Sequence, residues 1–298
     1  MMSITRILCP IDFSECSRHA LDCAVAIAKR YGATISALFI VPAHSPLIPA
    51  ADLSPYPLAA LTAEDLAHLR GELETFVKRY AGDVPFTAAV AEGHVVGEIV
   101  RRAADLHAHL VVIGTHGRSG FERLMLGSVT ERVLVKAPCP VLTVPPLASG
   151  SLSGVLFSRI LCAVDFSPAS MKALGMAAAL AQDAAARLAV AYVLERFPLY
   201  EPVTMGGPWT PEHDRVASDA ALTRLHEAIP DAVRALGPVT ALVAEGKPYR
   251  EILRLADAGR SELIVIGAHG GGGVLNAFGS TTNQVVRRAS CPVLALKA

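Results

Sequence analysis

The sequence predicts an α/β protein made of two tandem copies of one parallel-sheet domain, and three observations carry the prediction. The chain repeats itself: Arg6-Ile7-Leu8-Cys9-Pro10-Ile11-Asp12-Phe13-Ser14 returns 153 positions later as Arg159-Ile160-Leu161-Cys162-Ala163-Val164-Asp165-Phe166-Ser167. Within each copy, short apolar runs alternate with longer amphipathic ones, as in parallel strands joined by crossover helices. Runs such as Leu110-Val111-Val112-Ile113 show no in-and-out alternation, which fits strands buried on both faces.

In chain order the first copy reads as strand 4–10, helix 15–31, strand 33–41, helix 60–80, strand 84–91, helix 95–107, strand 109–114, helix 127–136 and strand 139–145. Pro10 and Pro42 mark strand ends, since proline has no N–H to give a ladder. Asp12-Phe13-Ser14-Glu15 is helix-start chemistry, with Asp12 as a candidate cap. Ala91-Glu92-Gly93 is matched by Ala244-Glu245-Gly246, and Leu110 to Gly117 by Leu263 to Gly270. Beyond that the offset falls to 152: Gly127-Ser128 pairs with Gly279-Ser280, and Cys139-Pro140-Val141-Leu142 with Cys291-Pro292-Val293-Leu294. The second copy therefore lacks one residue between Gly270 and Gly279. A long period with only two copies means duplicated domains rather than a solenoid. The expected domains are 1–146 and 158–298 with 147–157 as a linker, the boundary falling near the stretch Pro145-Pro146-Leu147-Ala148-Ser149-Gly150-Ser151, which has linker composition.

Composition excludes several classes. The 298 residues carry 27 Lys+Arg against 27 Asp+Glu and are 52% hydrophobic, so the chain is not disordered and has no net basic charge with which to gather nucleic acid or anionic membrane. The mean hydropathy of +0.42 comes largely from alanine, and no apolar run approaches the ~20 residues of a spanning helix. The N-terminus lacks a signal-peptide pattern, so a cytoplasmic setting is expected. The six cysteines form no C-x-x-C pair and read as thiols.

In an open parallel sheet, ligands bind beyond the carboxyl ends of the strands. There, Gly114 and Gly117 would let the backbone turn and a ligand approach, and Gly127-Ser128 would present free N–H groups at a helix start. Arg118 adds a fork suited to phosphate, and Ser128 or Thr130 is placed to cap the helix. Asp12, across the crevice, would accept from a ribose hydroxyl or an adenine amine. The composite reads as a nucleotide site. His116 and His269 leave acid–base chemistry open. His107-x-His109 lacks a third ligand and lies away from the crevice, so no metal site is expected. No G-x-x-x-x-G-K-[ST], G-x-G-x-x-G or G-x-S-x-G motif occurs in the expected places.

Gly114-x2-Gly117-x9-Gly127-Ser128, together with Ile7 to Ser14 and Cys139 to Val144, resembles the signature of the ATP-binding universal stress proteins, in both copies and over nearly the whole chain. The resemblance implies two five-stranded domains of the adenine-nucleotide α-hydrolase type, strand order 3-2-1-4-5. Their last strands, Val141-Leu142-Thr143-Val144 and Val293-Leu294-Ala295-Leu296, would pair as an intramolecular pseudo-dimer, with a homodimer of chains left open. It implies ATP as ligand, its Mg²⁺ held by the phosphates. Asp12 and the backbone near Val41 would hold adenine and ribose, the loop and helix start with Gly114, His116, Gly117, Arg118, Gly127, Ser128, Val129 and Thr130 the phosphates, and Pro10 and Ile11 belong to the same nucleotide site. The second copy departs from the pattern: Ala163 replaces Pro10, Gly271 replaces Arg118, and Gly270 to Gly273 is a run of glycines costly to order. A weaker site is expected there, from Ala163, Val164, Asp165, Leu194, Gly267, Gly270, Gly279, Ser280 and Thr281. The residue lost would be absorbed if Ser280-Thr281 took the place of Gly-Ser. Three functions follow as alternatives: nucleotide as a regulatory ligand acting towards an unknown protein partner, with slow hydrolysis at most; an ATPase or phosphotransferase using His116 and Arg118; or a scaffold with empty loops.

Overall fold

A computed structural model of the chain describes residues 4–42, 62–117, 126–146, 157–195, 211–235, 237–268 and 279–297, with the side chains of 211–214 and 232 left aside. The chain divides into two compact units that meet in sequence at Pro146 and Leu147.

The first unit runs β1 (Arg6–Pro10), α1 (Glu15–Tyr31), β2 (Thr34–Pro42), α2 (Ala63–Ala81), β3 (Phe86–Gly93), α3 (Val95–Asp105), β4 (Leu110–Gly114), α4 (Ser128–Lys136) and β5 (Val141–Val144). All its strand pairs are parallel, in the order β3-β2-β1-β4-β5. The second runs β6 (Arg159–Val164), α5 (Pro168–Ala184), β7 (Arg187–Leu194), α6 (Pro211–Ala228), α7 (Asp231–Arg234), β8 (Val239–Glu245), α8 (Pro248–Ala258), β9 (Leu263–Gly267), α9 (Ser280–Arg288) and β10 (Val293–Leu296). Its parallel strands follow the order β8-β7-β6-β9-β10, the same winding.

Central strands carry the core because helices cover both faces. Leu8, Cys9, Val111 and Val112 are fully buried, as are Cys162, Leu263, Ile264 and Val265 in the second unit. Each such aliphatic side chain contributes about 1.5–3 kcal/mol by leaving water. Helix ends follow local chemistry. Ser14 caps α1 by accepting from the Ser17 N–H, and Gly32 closes it in a left-handed turn. Thr62 and Asp65 form a capping box on α2. The cap of α1 is thus Ser14 rather than Asp12, which stands two residues before the cap and braces it.

The cysteines are free, five of them buried. Burial pushes the Cys23 and Cys291 thiols up to about 12 and those of Cys9 and Cys162 higher still, so they pack as small apolar residues. Among the described residues no helix is long and apolar enough to cross a membrane.

Candidate functional site

The carboxyl ends of β1, β2 and β4 open into a cavity of about 630 Å³ in the first unit, within the range of small-molecule sites. Pro10, Ile11 and Asp12 reach it from β1 and the turn after it, Val41 from β2, Gly114, His116 and Gly117 from the end of β4, and Gly127, Ser128, Val129 and Thr130 from the start of α4. Arg118 lies outside the described residues.

Each wall has a local cause. The turn after β1 is tied by serines: the Ser14 N–H donates to Asp12 Oδ1 at 3.0 Å, the Ser14 hydroxyl donates to the same oxygen, and the Asp12 N–H donates to Ser17 Oγ at 3.4 Å. This turn, which begins on an aspartate, holds the carboxylate at the cavity. Asp12 does not stand across the crevice from the glycine loop: a Cβ on Gly117 would lie 3.0 Å from Asp12 Oδ2, so the two adjoin. Gly114, at the cavity, has a further reason to be glycine. A Cβ there would meet Cys16 Sγ at 2.7 Å and the Cys16 backbone C and O at 3.0 Å, so the glycine admits the first turn of α1 against β4.

Helix α4 opens on Gly127 with no side-chain cap. Ser128 does not cap it, and the Thr130 hydroxyl is engaged elsewhere, donating to the Gly114 carbonyl at 2.7 Å. The Gly127 N–H donates to the Thr115 carbonyl at 2.8 Å, fixing where the helix begins. The first-turn N–H groups, which have no partners within a helix, therefore form part of the cavity wall with a partial positive charge. Of the described lining residues, Asp12 carries the formal negative charge, and His116 Nδ1 lies 2.9 Å from the Thr115 hydroxyl.

Ser17, Phe39, Ile40, Pro42, Val95, Ile99 and Ile113 also line the cavity and were missed by motif reading. Their signals were present: Phe39 shares a strand face with Val41 by the period of two, and Val95 and Ile99 share a helix face by the spacing of four.

In the second unit, Ala163 and Val164 end β6 and Leu194 ends β7. Asp165 repeats the serine-tied turn: the Ser167 N–H donates to Oδ1 at 3.0 Å, and the Asp165 N–H donates to Ser170 Oγ at 3.2 Å. Gly267 abuts Ser170 N and Ala169 C at 2.8 and 3.0 Å from its would-be Cβ. The Thr282 hydroxyl donates to the Gly267 carbonyl at 2.7 Å, and the Gly279 N–H donates to the Ala268 carbonyl at 3.0 Å. Gly279 is thus the N-cap of α9, and Ser280-Thr281 do not shift into the place of Gly-Ser. The lost residue is taken up between Ala268 and Gly279. Gly270, His269 and the glycine run lie outside the described residues.

His109 is engaged structurally, accepting from the Thr5 N–H at 3.0 Å with Arg6 at 3.1 Å. Among the described residues no cluster of three or more metal-ligating side chains occurs.

Comparison with known proteins gives one consistent result. The model of the Universal stress protein family matches residues 3–145 and again 156–297. A universal stress protein of Methanocaldococcus jannaschii is 37% identical over 149 residues, covering 47% of this chain and 81% of the relative. One of Mycolicibacterium smegmatis is 26% identical over 307 residues, covering 98% and 96%. The crystal structure of a universal stress protein from Archaeoglobus fulgidus superposes with a TM-score of 0.64 at 23% identity, over 99% of this chain and 97% of that one, a likeness of fold. Two family matches placed end to end account for the repeat, and the chain belongs to the universal stress protein family as a tandem member.

Proposed function

We propose that the first-unit cavity binds an adenine nucleotide, ATP with Mg²⁺ held by its phosphates, as a regulatory ligand that is hydrolysed slowly at most. The observation that carries the reading is convergence: segments around residues 10, 41, 95, 114 and 128 meet at one cavity. The apolar side chains of Phe39, Val41, Val95 and Ile99 suit a base, Asp12 suits a hydroxyl or amine donor, and the uncapped start of α4 suits phosphate. The second unit keeps the frame through Asp165, Gly267 and Gly279 and is read as the weaker site. The same reading includes two domains, 1–146 and 158–298, a cytoplasmic setting, and pairing of the β5 and β10 edges, which otherwise need cover.

The test is the identity and molar ratio of nucleotide released by acid from fresh protein, repeated after incubation with ATP and Mg²⁺. About one adenine nucleotide per chain is expected, and about two would give the second unit equal standing. None under either condition would sink the proposal in favour of the scaffold. Steady turnover abolished by His116→Ala with binding intact would favour the enzyme.

A further inference from the structure

The second unit has a charged surface feature that the equivalent described positions of the first do not repeat. Lys247 is the N-cap residue of α8 and makes no side-chain capping bond. Arg250 Nε donates to the Tyr249 hydroxyl at 3.1 Å, which orients the guanidinium 5.9 Å from the ring centroid. From α9, Arg288 places its guanidinium 5.3 Å from the same centroid. Lys247, Arg250 and Arg288 are exposed, and among the described residues none of them forms an ion pair. The acid next to them in sequence, Glu251, is engaged by Arg254 at 2.7 Å. Their combined field reaches the phenol: the Arg250 hydrogen bond first, then the charges of Arg250, Arg288 and Lys247, hold Tyr249 below the usual tyrosine range. The equivalent first-unit positions are His94, Val96, Gly97 and Lys136, where Val96 is buried and Lys136 alone is a fixed cation.

Cations gathered at this spacing repel one another and raise a local potential that draws anions. Guanidinium groups already held against a ring have less freedom to lose and match carboxylates bidentately. We propose that this face of α8 and α9 docks an acidic segment of a protein partner, with Arg250 and Arg288 receiving carboxylates and Lys247 steering the approach. Nucleic acid fits less well, because backbone binding draws on roughly six to ten phosphate contacts and the Tyr249 ring already holds two guanidiniums in place of a base. A membrane surface also fits less well: it calls for a cluster of about four to eight basic residues or an apolar wedge. The large apolar side chain exposed among the described residues, Val216, belongs to α6.

The test is fluorescence anisotropy of a labelled oligoglutamate peptide titrated with the full chain at low and physiological salt. Saturable binding is expected that weakens with salt, falls about tenfold or more in Arg250→Glu/Arg288→Glu, and is unchanged in Lys136→Glu. Arg250→Gln/Arg288→Gln, which keeps exposed polar side chains, should lose less, and an unaltered melting temperature separates lost charge from lost fold. The proposal is overturned by the absence of saturable binding at low salt, by an equal loss in Lys136→Glu, or by tighter binding to a single-stranded oligonucleotide or to phosphatidylserine vesicles than to the peptide.

Discussion

Asp12 and Asp165 stand after equivalent strands and brace equivalent turns, and each is followed by an aromatic residue at positive φ, Phe13 at 62° and Phe166 at 63°. A left-handed non-glycine residue costs about 1–2 kcal/mol, so the surroundings must hold it. The supports differ. Phe13 packs on Phe39 and Phe76, with ring centroids 5.1 and 5.3 Å away. Phe166 packs on Tyr192 at 4.8 Å and lies under the Arg224 guanidinium, 4.0 Å from its centroid. The shared bonds between aspartate and serine hold the turn, while the aromatic support is exchangeable. The second unit uses the exchange to place a positive charge where the first has hydrocarbon.

The largest effect should come from the feature the units share most closely. Alanine at Gly114 or Gly267 pushes a Cβ into the backbone of the helix that follows the first strand of each unit. Each substitution should cost about 3 kcal/mol in denaturant unfolding, the range of overpacked cores. Cys16→Ala sharpens the comparison, because it removes the 2.7 Å contact to Sγ but leaves those to the Cys16 backbone at 3.0 Å. It should rescue Gly114→Ala only in part, while Gly267→Ala, which already faces Ala169, is equally costly. Complete rescue would mean that the two glycines serve different purposes.

Asp12→Ala and Asp165→Ala come next. Each removes acceptors for a serine N–H and hydroxyl, and each should cost about 1–2 kcal/mol. Nucleotide retention should fall in Asp12→Ala alone. A fall in both would erase the proposed asymmetry between the sites. At the ends of α1 and α5 the units differ openly: Gly32 has φ 65°, whereas Ala185 is held at φ 52° in the matching place. Ala185→Gly should therefore stabilise by about 1 kcal/mol and Gly32→Ala destabilise by a similar amount, both read as shifts in denaturant midpoint.

Much of this was legible in the sequence because its causes are local. The strand of Leu110 to Gly114 is written as an unbroken apolar run, and the first helix spans the expected residues 15–31. What escaped was set by residues far apart in the chain. Gly114 lines the cavity as a loop glycine would, but the motif does not show that Cys16 packs against it. Thr130 looks like a cap or a phosphate donor until its hydroxyl is found on the Gly114 carbonyl. Nothing in the motif places Asp12 beside Gly117, since that contact depends on how the turn after β1 meets the end of β4. The apolar liners Val95 and Ile99 escaped for a plainer reason: a stripe at helical spacing reads as core whether it faces a sheet or a cavity.

The smallest expected effect lies at the opposite ends of the strands, where one substitution changes the chemistry of an otherwise repeated arrangement. Arg6 Nε donates to the carbonyl of His107, and Arg159 Nε to that of Arg260, both acceptors being left-handed residues. Beside them the second unit pairs Arg159 with Glu262, which also accepts from the Ser158 N–H at 2.6 Å. The first unit has His109 in that place. Burial first, and then the Arg6 charge, hold His109 below its ordinary value of 6.5. As pH falls, the unfolded chain takes up this proton before the folded one, so the contribution is intact above the unfolded value. It is lost as pH drops from about 6.5 through the lower folded value, and is flat below that. The ring is partly exposed, so the slope should be shallow. His109→Glu gives the first unit the carboxylate of the second and should flatten unfolding stability across that window relative to the parent chain. Identical slopes in the two proteins would mean that the imidazole and the carboxylate serve these arginines alike.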